Sequence, residues 1–155
     1  MTERSQPPAI SIRPLAAADF DVWLPLWKGY QEFYKANIAD EVTRVTFARI
    51  LDDREPMFAA LAWVSGEAAG LVHWILHRSN WTIGDYCYLQ DLYVSGGRRG
   101  LGLGRKLIEH VYAEAEKARC ARVHWLTHET NTDAMLLYDR IAERSGFVQY
   151  RKQLR

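Results

Sequence analysis

Between Leu92 and His110, in LYVSGGRRGLGLGRKLIEH, a β-rich run gives way to a helical one, and glycines stand at 100, 102 and 104 in the changeover. A chain with this junction turns a strand into a helix, so sheet and helix have to pack as adjoining layers. The missing side chains leave several backbone N–H groups at the positive end of the helix dipole, a nest that favours an anion. Arg98, Arg99 and Arg105 add charge at its rim, which suits a pyrophosphate better than a lone carboxylate. Two nucleotide motifs are excluded by position. A Walker A loop needs Gly-Lys-Ser/Thr, whereas Lys106 here lies between Arg105 and Leu107. A G-x-G-x-x-G fingerprint fails as well, because its last position is Arg105 when read from Gly100 and Leu107 when read from Gly102.

The rest of the chain supplies the layers. Ala9 to Leu15 alternates like a short strand. Asp19 then reads as an N-cap, and Phe20, Trp23, Leu24, Trp27, Tyr30 and Tyr34 recur at helical spacing, with Pro25 expected to kink or divide the helix. Asp40 to Asp53 is a weaker helix. Met57–Val64, Leu71–His77 and Tyr86–Val94 are β-rich and joined by turn-like segments, the pattern of an antiparallel meander. Leu103, Leu107, Val111, Ala115 and Ala118 then mark one face of a helix. Arg122–His128 is expected as a strand, Asn131–Glu143 as a helix capped by Asn131 or Thr132, and Gly146–Leu154 as a closing strand. The order predicts an α/β (α+β) fold, a mixed and mainly antiparallel sheet flanked by helices.

At 155 residues the chain is expected to form a single domain over 1–155, with a flexible start over 1–8. A formal net charge of +1 gives no broad electrostatic footprint for nucleic acid, so basic character must be local. Cys87 and Cys120 show no metal-ligand spacing and fit a reduced intracellular protein without a metal. No apolar run reaches the roughly 18 residues that a membrane span needs, and the amino terminus has no signal core, so a cytoplasmic location with no membrane partner is expected.

The segment RGLGLG, Arg99 to Gly104, carries the pattern Arg/Gln-x-x-Gly-x-Gly/Ala, and NTDAMLLY, Asn131 to Tyr138, carries Asn-x-x-Ala-x-x-Leu-Tyr, with Gly146-Phe147 following. On these motifs the chain resembles the GNAT (Gcn5-related) N-acetyltransferase superfamily over nearly its whole length. Its tail is similar to the branch with the yeast histone/polyamine and D-amino-acid acetyltransferases. The resemblance implies a V-shaped splay between the fourth and fifth strands and acetyl-CoA as cosubstrate. It also implies transfer to a primary amine such as a polyamine, an amino acid or a lysine-type amine.

In that reading the main chain of Leu92, Tyr93 and Val94 meets the pantetheine arm, with an N–H near Leu92 facing the developing oxyanion. Arg99, Gly100, Leu101, Gly102, Leu103, Gly104 and Arg105 hold the pyrophosphate. Tyr138 is the general acid on the CoA sulfur, and Asn131 contacts the arm. Relatives often carry LEDLYV where this chain has LQDLYV, and Gln90 is no base, which leaves Asp91, a water relay, or a histidine such as His73 or His128. Tyr30 and Tyr34 are candidates for the acceptor wall, where aromatic faces suit an ammonium. The tail leaves room for one strand only, so a homodimer through that strand is expected. The competing reading is a non-catalytic acyl-CoA-binding or regulatory protein with the same fold.

Overall fold

A computed structural model describes residues 5–155, so the expectation of a flexible start falls, for 1–4, outside the described residues. The chain divides into two compact units, one extending to Trp125 and the other spanning Leu126–Arg155.

The first unit contains β1 (Ile10–Pro14), α1 (Phe20–Phe33), α2 (Asp40–Ile50), β2 (Met57–Val64), β3 (Glu67–His77), β4 (Tyr86–Val94), α3 (Leu103–Lys117) and β5 (Arg122–His124). The strands lie in sequence order, antiparallel from β1 to β4, with β5 parallel to β4. The meander is thus as expected, although the turn between β2 and β3 is only Ser65-Gly66 and β3 starts at Glu67. Ala69 to Trp74 in β3 are all buried, the mark of a strand covered on both faces. On one face Leu61 and Leu71 pack with Trp23, Leu26 and Trp27 of α1. Gly70 points the other way, close to Leu107 of α3. Leu103, Leu107, Ile108, Val111 and Ala115 form the buried stripe of α3, and each such leucine contributes roughly 1.5–3 kcal/mol relative to exposure.

Pro25 does not divide α1, which runs unbroken through it. The N–H that Pro25 lacks would have met the carbonyl of Asp21, and both residues lie on the exposed side, where solvent satisfies that carbonyl. Asp19 precedes α1 but does not cap it through its side chain; its carboxylate instead accepts the Ala16 N–H, 2.8 Å away, and closes a short 3-10 turn. α2 ends at Ile50. Between α1 and α2, the buried Gln31 side chain accepts the Ile38 N–H at 3.0 Å and so fixes the turn.

β5 is shorter than expected, three residues in place of a strand to His128. It pairs with β4 only from Tyr86 to Tyr88. Beyond Tyr88 the side of β4 facing away from β3 has no strand partner among the described residues, which is the splay that the resemblance implied. Gly84 lies at the other, closed end of this pairing. Arg119 turns the chain with φ +57°, Ala121 donates to the Asp85 carbonyl at 2.8 Å, and a Cβ on Gly84 would overlap the Arg119 carbonyl oxygen. Gly84→Ala should therefore destabilise by about 1–3 kcal/mol, lowering the melting temperature by roughly 3–10 °C in a thermal scan.

The second unit holds α4 (Thr132–Ile141). Residues 143–155 have no regular structure, so the expected closing strand is not formed. A strand needs a ladder partner, and no pairing involves this segment among the described residues.

Candidate functional site

A bulge in β4 shapes the site. His73 of β3 stands opposite Asp91, but the next residue, Trp74, stands opposite Leu89, so Gln90 is an extra residue with no counterpart. Strict alternation would send Gln90 and Asp91 to opposite faces. With the bulge, both reach the same cavity. Asp91 still shares a face with Tyr93, as period two requires, and this face meets α1.

Asp91 is buried and anchored. His73 Nδ1 lies 3.0 Å from Asp91 Oδ2, and Trp23 Nε1 lies 3.0 Å from His73 Nε2. An indole N–H only donates, so Nε2 of His73 is the acceptor and its ring proton sits on Nδ1, donated to Asp91. Both ring nitrogens of His73 are thereby engaged. Three phenols surround the same carboxylate. The hydroxyl of Tyr30 is pushed well above the usual phenol range, first by burial, then by the charge of Asp91 and hydrogen bonding to it. Tyr34 and Tyr88 are raised by burial and then by Asp91. All three stay protonated and keep their hydroxyl donors.

The cavity has a volume of about 350 Å³. Trp27 and Tyr30 of α1 form one wall, Val42 and Thr46 of α2 another, and Phe58, His73 and Asp91 of the sheet the floor. Trp27 stacks on Tyr30 with 5.2 Å between ring centroids, and Tyr30 meets Tyr34 at 4.9 Å, so an aromatic ridge runs along α1 past Asp91. Of the two tyrosines singled out from sequence, Tyr30 lines the cavity; Tyr34, 44% exposed, continues the ridge outside it.

The glycine loop has the conformation an anion nest needs. Gly100 and Gly102 have φ of +84° and +71°, values that side chains disfavour, and a Cβ on either would meet open space. The first helical bond runs from Lys106 N–H to Gly102 C=O, 3.1 Å, so the N–H groups of Leu103, Gly104 and Arg105 lie ahead of the ladder. The arginines differ in role. Arg98 pairs with Glu67, and Arg105 with Glu109 one turn on at 2.8 Å, whereas Arg99 is exposed with no ion-pair partner among the described residues. Leu101 and Leu103 anchor the loop by partial and full burial. Leu92 and Val94 lie on the splayed part of β4. Tyr93 differs from them: its side chain packs over Gly29 of α1 and its peptide group lies in the ladder opposite Leu71 of β3, so of the three residues expected to meet a ligand through their main chain only Leu92 and Val94 face the open side.

In the second unit Asn131 stands at the N-cap of α4, and its side-chain amide donates to Thr127 Oγ1 at 3.2 Å rather than capping the helix. Tyr138 is half-buried on α4. His128 is exposed, and its Nδ1 accepts the Thr130 N–H at 3.2 Å, the work of a turn residue. Among the described residues no group of three His, Cys, Asp or Glu is placed to hold a metal.

Sequence reading missed the Trp23–His73–Asp91 chain. Trp23 and His73 are 50 residues apart, and the helical spacing of Trp23 marks it only as core.

The family model described as Acetyltransferase (GNAT) family matches residues 23–142. The D-amino-acid N-acetyltransferase HPA3 of Saccharomyces cerevisiae is 37% identical over 145 residues, 92% of this chain and 90% of that protein. The solved structure of the ribosomal-protein-alanine N-acetyltransferase from Brucella melitensis biovar Abortus 2308 superposes with a TM-score of 0.80 at 23% identity, covering 94% of this chain and 100% of that one. AAC(6')-Iy, solved with the bisubstrate analog CoA-S-monomethyl-acetylneamine, gives a TM-score of 0.80 at 19% identity, covering 94% and 99%. At these identities the two structures show a shared fold.

Proposed function

Because the chain belongs to the acetyltransferase (GNAT) family, whose members depend on acetyl-CoA, we propose that it moves the acetyl group of acetyl-CoA directly onto a primary amine, both substrates being bound together. The observation that carries this reading is Asp91. It is a buried carboxylate in the wall of a cavity, on the strand whose outer peptide groups lose their partner just before the glycine nest. The nest fits a pyrophosphate: Gly102 opens the backbone, the N–H groups of Leu103 to Arg105 point out of the helix, and Arg99 is available as a clamp.

Acetyl-CoA supplies an acyl thioester, whose C–S bond breaks as a C–N bond to the amine forms. Leu92 and Val94 offer main-chain groups to the pantetheine arm as an edge strand would, with Asn131 assisting. A fixed N–H near Leu92 stabilises negative charge growing on the acyl oxygen. Asp91 takes one proton from the bound ammonium so that the neutral amine attacks, and later releases it to solvent; Tyr138 gives its phenol proton to the departing sulfur and is reprotonated by the second proton, which the nitrogen sheds as the C–N bond forms. His73 does not compete for the base role, since its Nε2 is engaged by Trp23.

The acceptors to be tested are polyamines, amino acids, including the D-amino acids named for the yeast relative, and lysine-type amines. The deciding assay is CoA release from acetyl-CoA with these amines. Tight acetyl-CoA binding with no release would mean a binding protein. Arg99→Ala should weaken CoA about five- to tenfold in equilibrium titration, the effect of one charge-assisted contact, and an unchanged dissociation constant would remove Arg99 from the site.

Cys87 and Cys120 are free thiols, which supports a reducing compartment, and we propose the cytoplasm; among the described residues no helix is long and apolar enough to cross a membrane. We also assign a homodimer. In the tail Phe147, Val148, Tyr150 and Leu154 are 84%, 77%, 93% and 82% exposed, far more apolar surface than an extended segment keeps when paired. β5 ends the sheet, and among the described residues no strand pairs with its outer edge, which can accept the tail of a second copy. Sedimentation equilibrium at micromolar concentration should give twice the mass of 17.9 kDa, and a monomer there would refute the exchange.

A further inference from the structure

We infer that the cavity beside Asp91 selects a primary amine with a single positive charge and an apolar, preferably aromatic body, and discriminates against α-amino acids and polyamines. The inference rests on the acetyl-transfer reading for the fate of the amine, and on the cavity alone for the choice among amines.

Three features point the same way. Among the described residues that line the cavity Asp91 is the only acidic one, and none is Lys or Arg. The rest of the wall is mainly apolar or aromatic, with Trp27, Ile38, Ile50 and Phe58 around the carboxylate. The ridge of Trp27 and Tyr30 adds ring faces beside that charge, a setting in which an ammonium gains from carboxylate and π-face together.

An α-amino acid carries its carboxylate one carbon away from the amine. With the amine at Asp91, two carboxylates are held close together, and no cation in the wall offsets their repulsion. A polyamine meets the opposite difficulty. Its first ammonium is matched by Asp91, but the next has to enter apolar wall without a second carboxylate, and an unpaired charge there is costly. The volume of about 350 Å³ accommodates a small arylalkylamine.

The test separates binding from turnover. The full chain is loaded with desulfo-CoA, which cannot carry an acetyl group, and titrated calorimetrically at pH 7.5 with 2-phenylethylamine, D-phenylalanine, spermidine and 2-phenylethanol. 2-Phenylethylamine should bind at least tenfold more tightly than each of the other three. The comparison with 2-phenylethanol reads the contribution of the ammonium on the unmodified protein, so no variant has to fold. D-Phenylalanine or spermidine binding as tightly as 2-phenylethylamine overturns the inference, as does equal binding of 2-phenylethanol or no binding of 2-phenylethylamine. CoA release from acetyl-CoA with the same amines is measured in parallel. The expected ranking in binding with no release by any amine would defeat acetyl transfer while leaving the cavity's preference intact. Release with the ranking reversed would leave acetyl transfer intact and defeat the preference.

Discussion

With Asp91 replaced by Asn, kcat/KM for a primary amine falls by about 10²–10⁴-fold at neutral pH, the range that loss of a positioned base covers. The change is close to isosteric. The amide oxygen of Asn still accepts the proton on His73 Nδ1, which lies 3.0 Å from the present carboxylate oxygen, so the chain with Trp23 persists and the fold is retained. What disappears is the negative charge that attracts an ammonium and the group that removes its proton. The residual reaction then depends on amine that is already neutral in solution. Its rate should climb about tenfold per pH unit toward the amine pKa of roughly 10, whereas the unmodified enzyme, supplied with a base, should depend much less on pH between 7 and 9. Parallel pH profiles for the two proteins would show that Asp91 is not the base and return that role to a water relay.

Tyr138→Phe is the second large effect. It removes one hydroxyl from α4 and nothing else, so acetyl-CoA affinity should change by less than about threefold while kcat falls about 10²-fold or more. The sulfur would then have to leave as an unprotonated thiolate. An acyl donor whose thiol has a lower pKa needs less help, and with such a donor the variant should recover much of its rate. Single-turnover measurements on acetyl-CoA and on that donor separate the acid role from packing, because a packing defect would slow both donors equally.

How much of this was visible in the sequence depended on how far apart the cooperating residues lie. The glycine nest is contained within Arg99 to Arg105, and its positive φ at Gly100 and Gly102 follows from residue type in a short loop before an amphipathic helix. The helices and the meander were legible for the same reason, since each period repeats within a few residues. Whether Pro25 divides α1 and whether the tail forms a strand depend on surroundings that no local pattern contains. Solvent beside Asp21 lets α1 continue, and with no ladder partner among the described residues 143–155 forms no strand.

By itself, then, the sequence determined the order of elements as far as α4, the glycine loop and the motif residues Asn131 and Tyr138, all of them patterns of short range. Only the tertiary structure decided the cavity beside Asp91. The bulge that brings Gln90 and Asp91 to one cavity is a mismatch in register between β3 and β4, which neither strand encodes alone. The donor that engages His73 Nε2 is an indole 50 residues away on α1. Hydrogen-bond direction, burial and charge balance are properties of groups brought together by packing, and a one-dimensional pattern has no term for them.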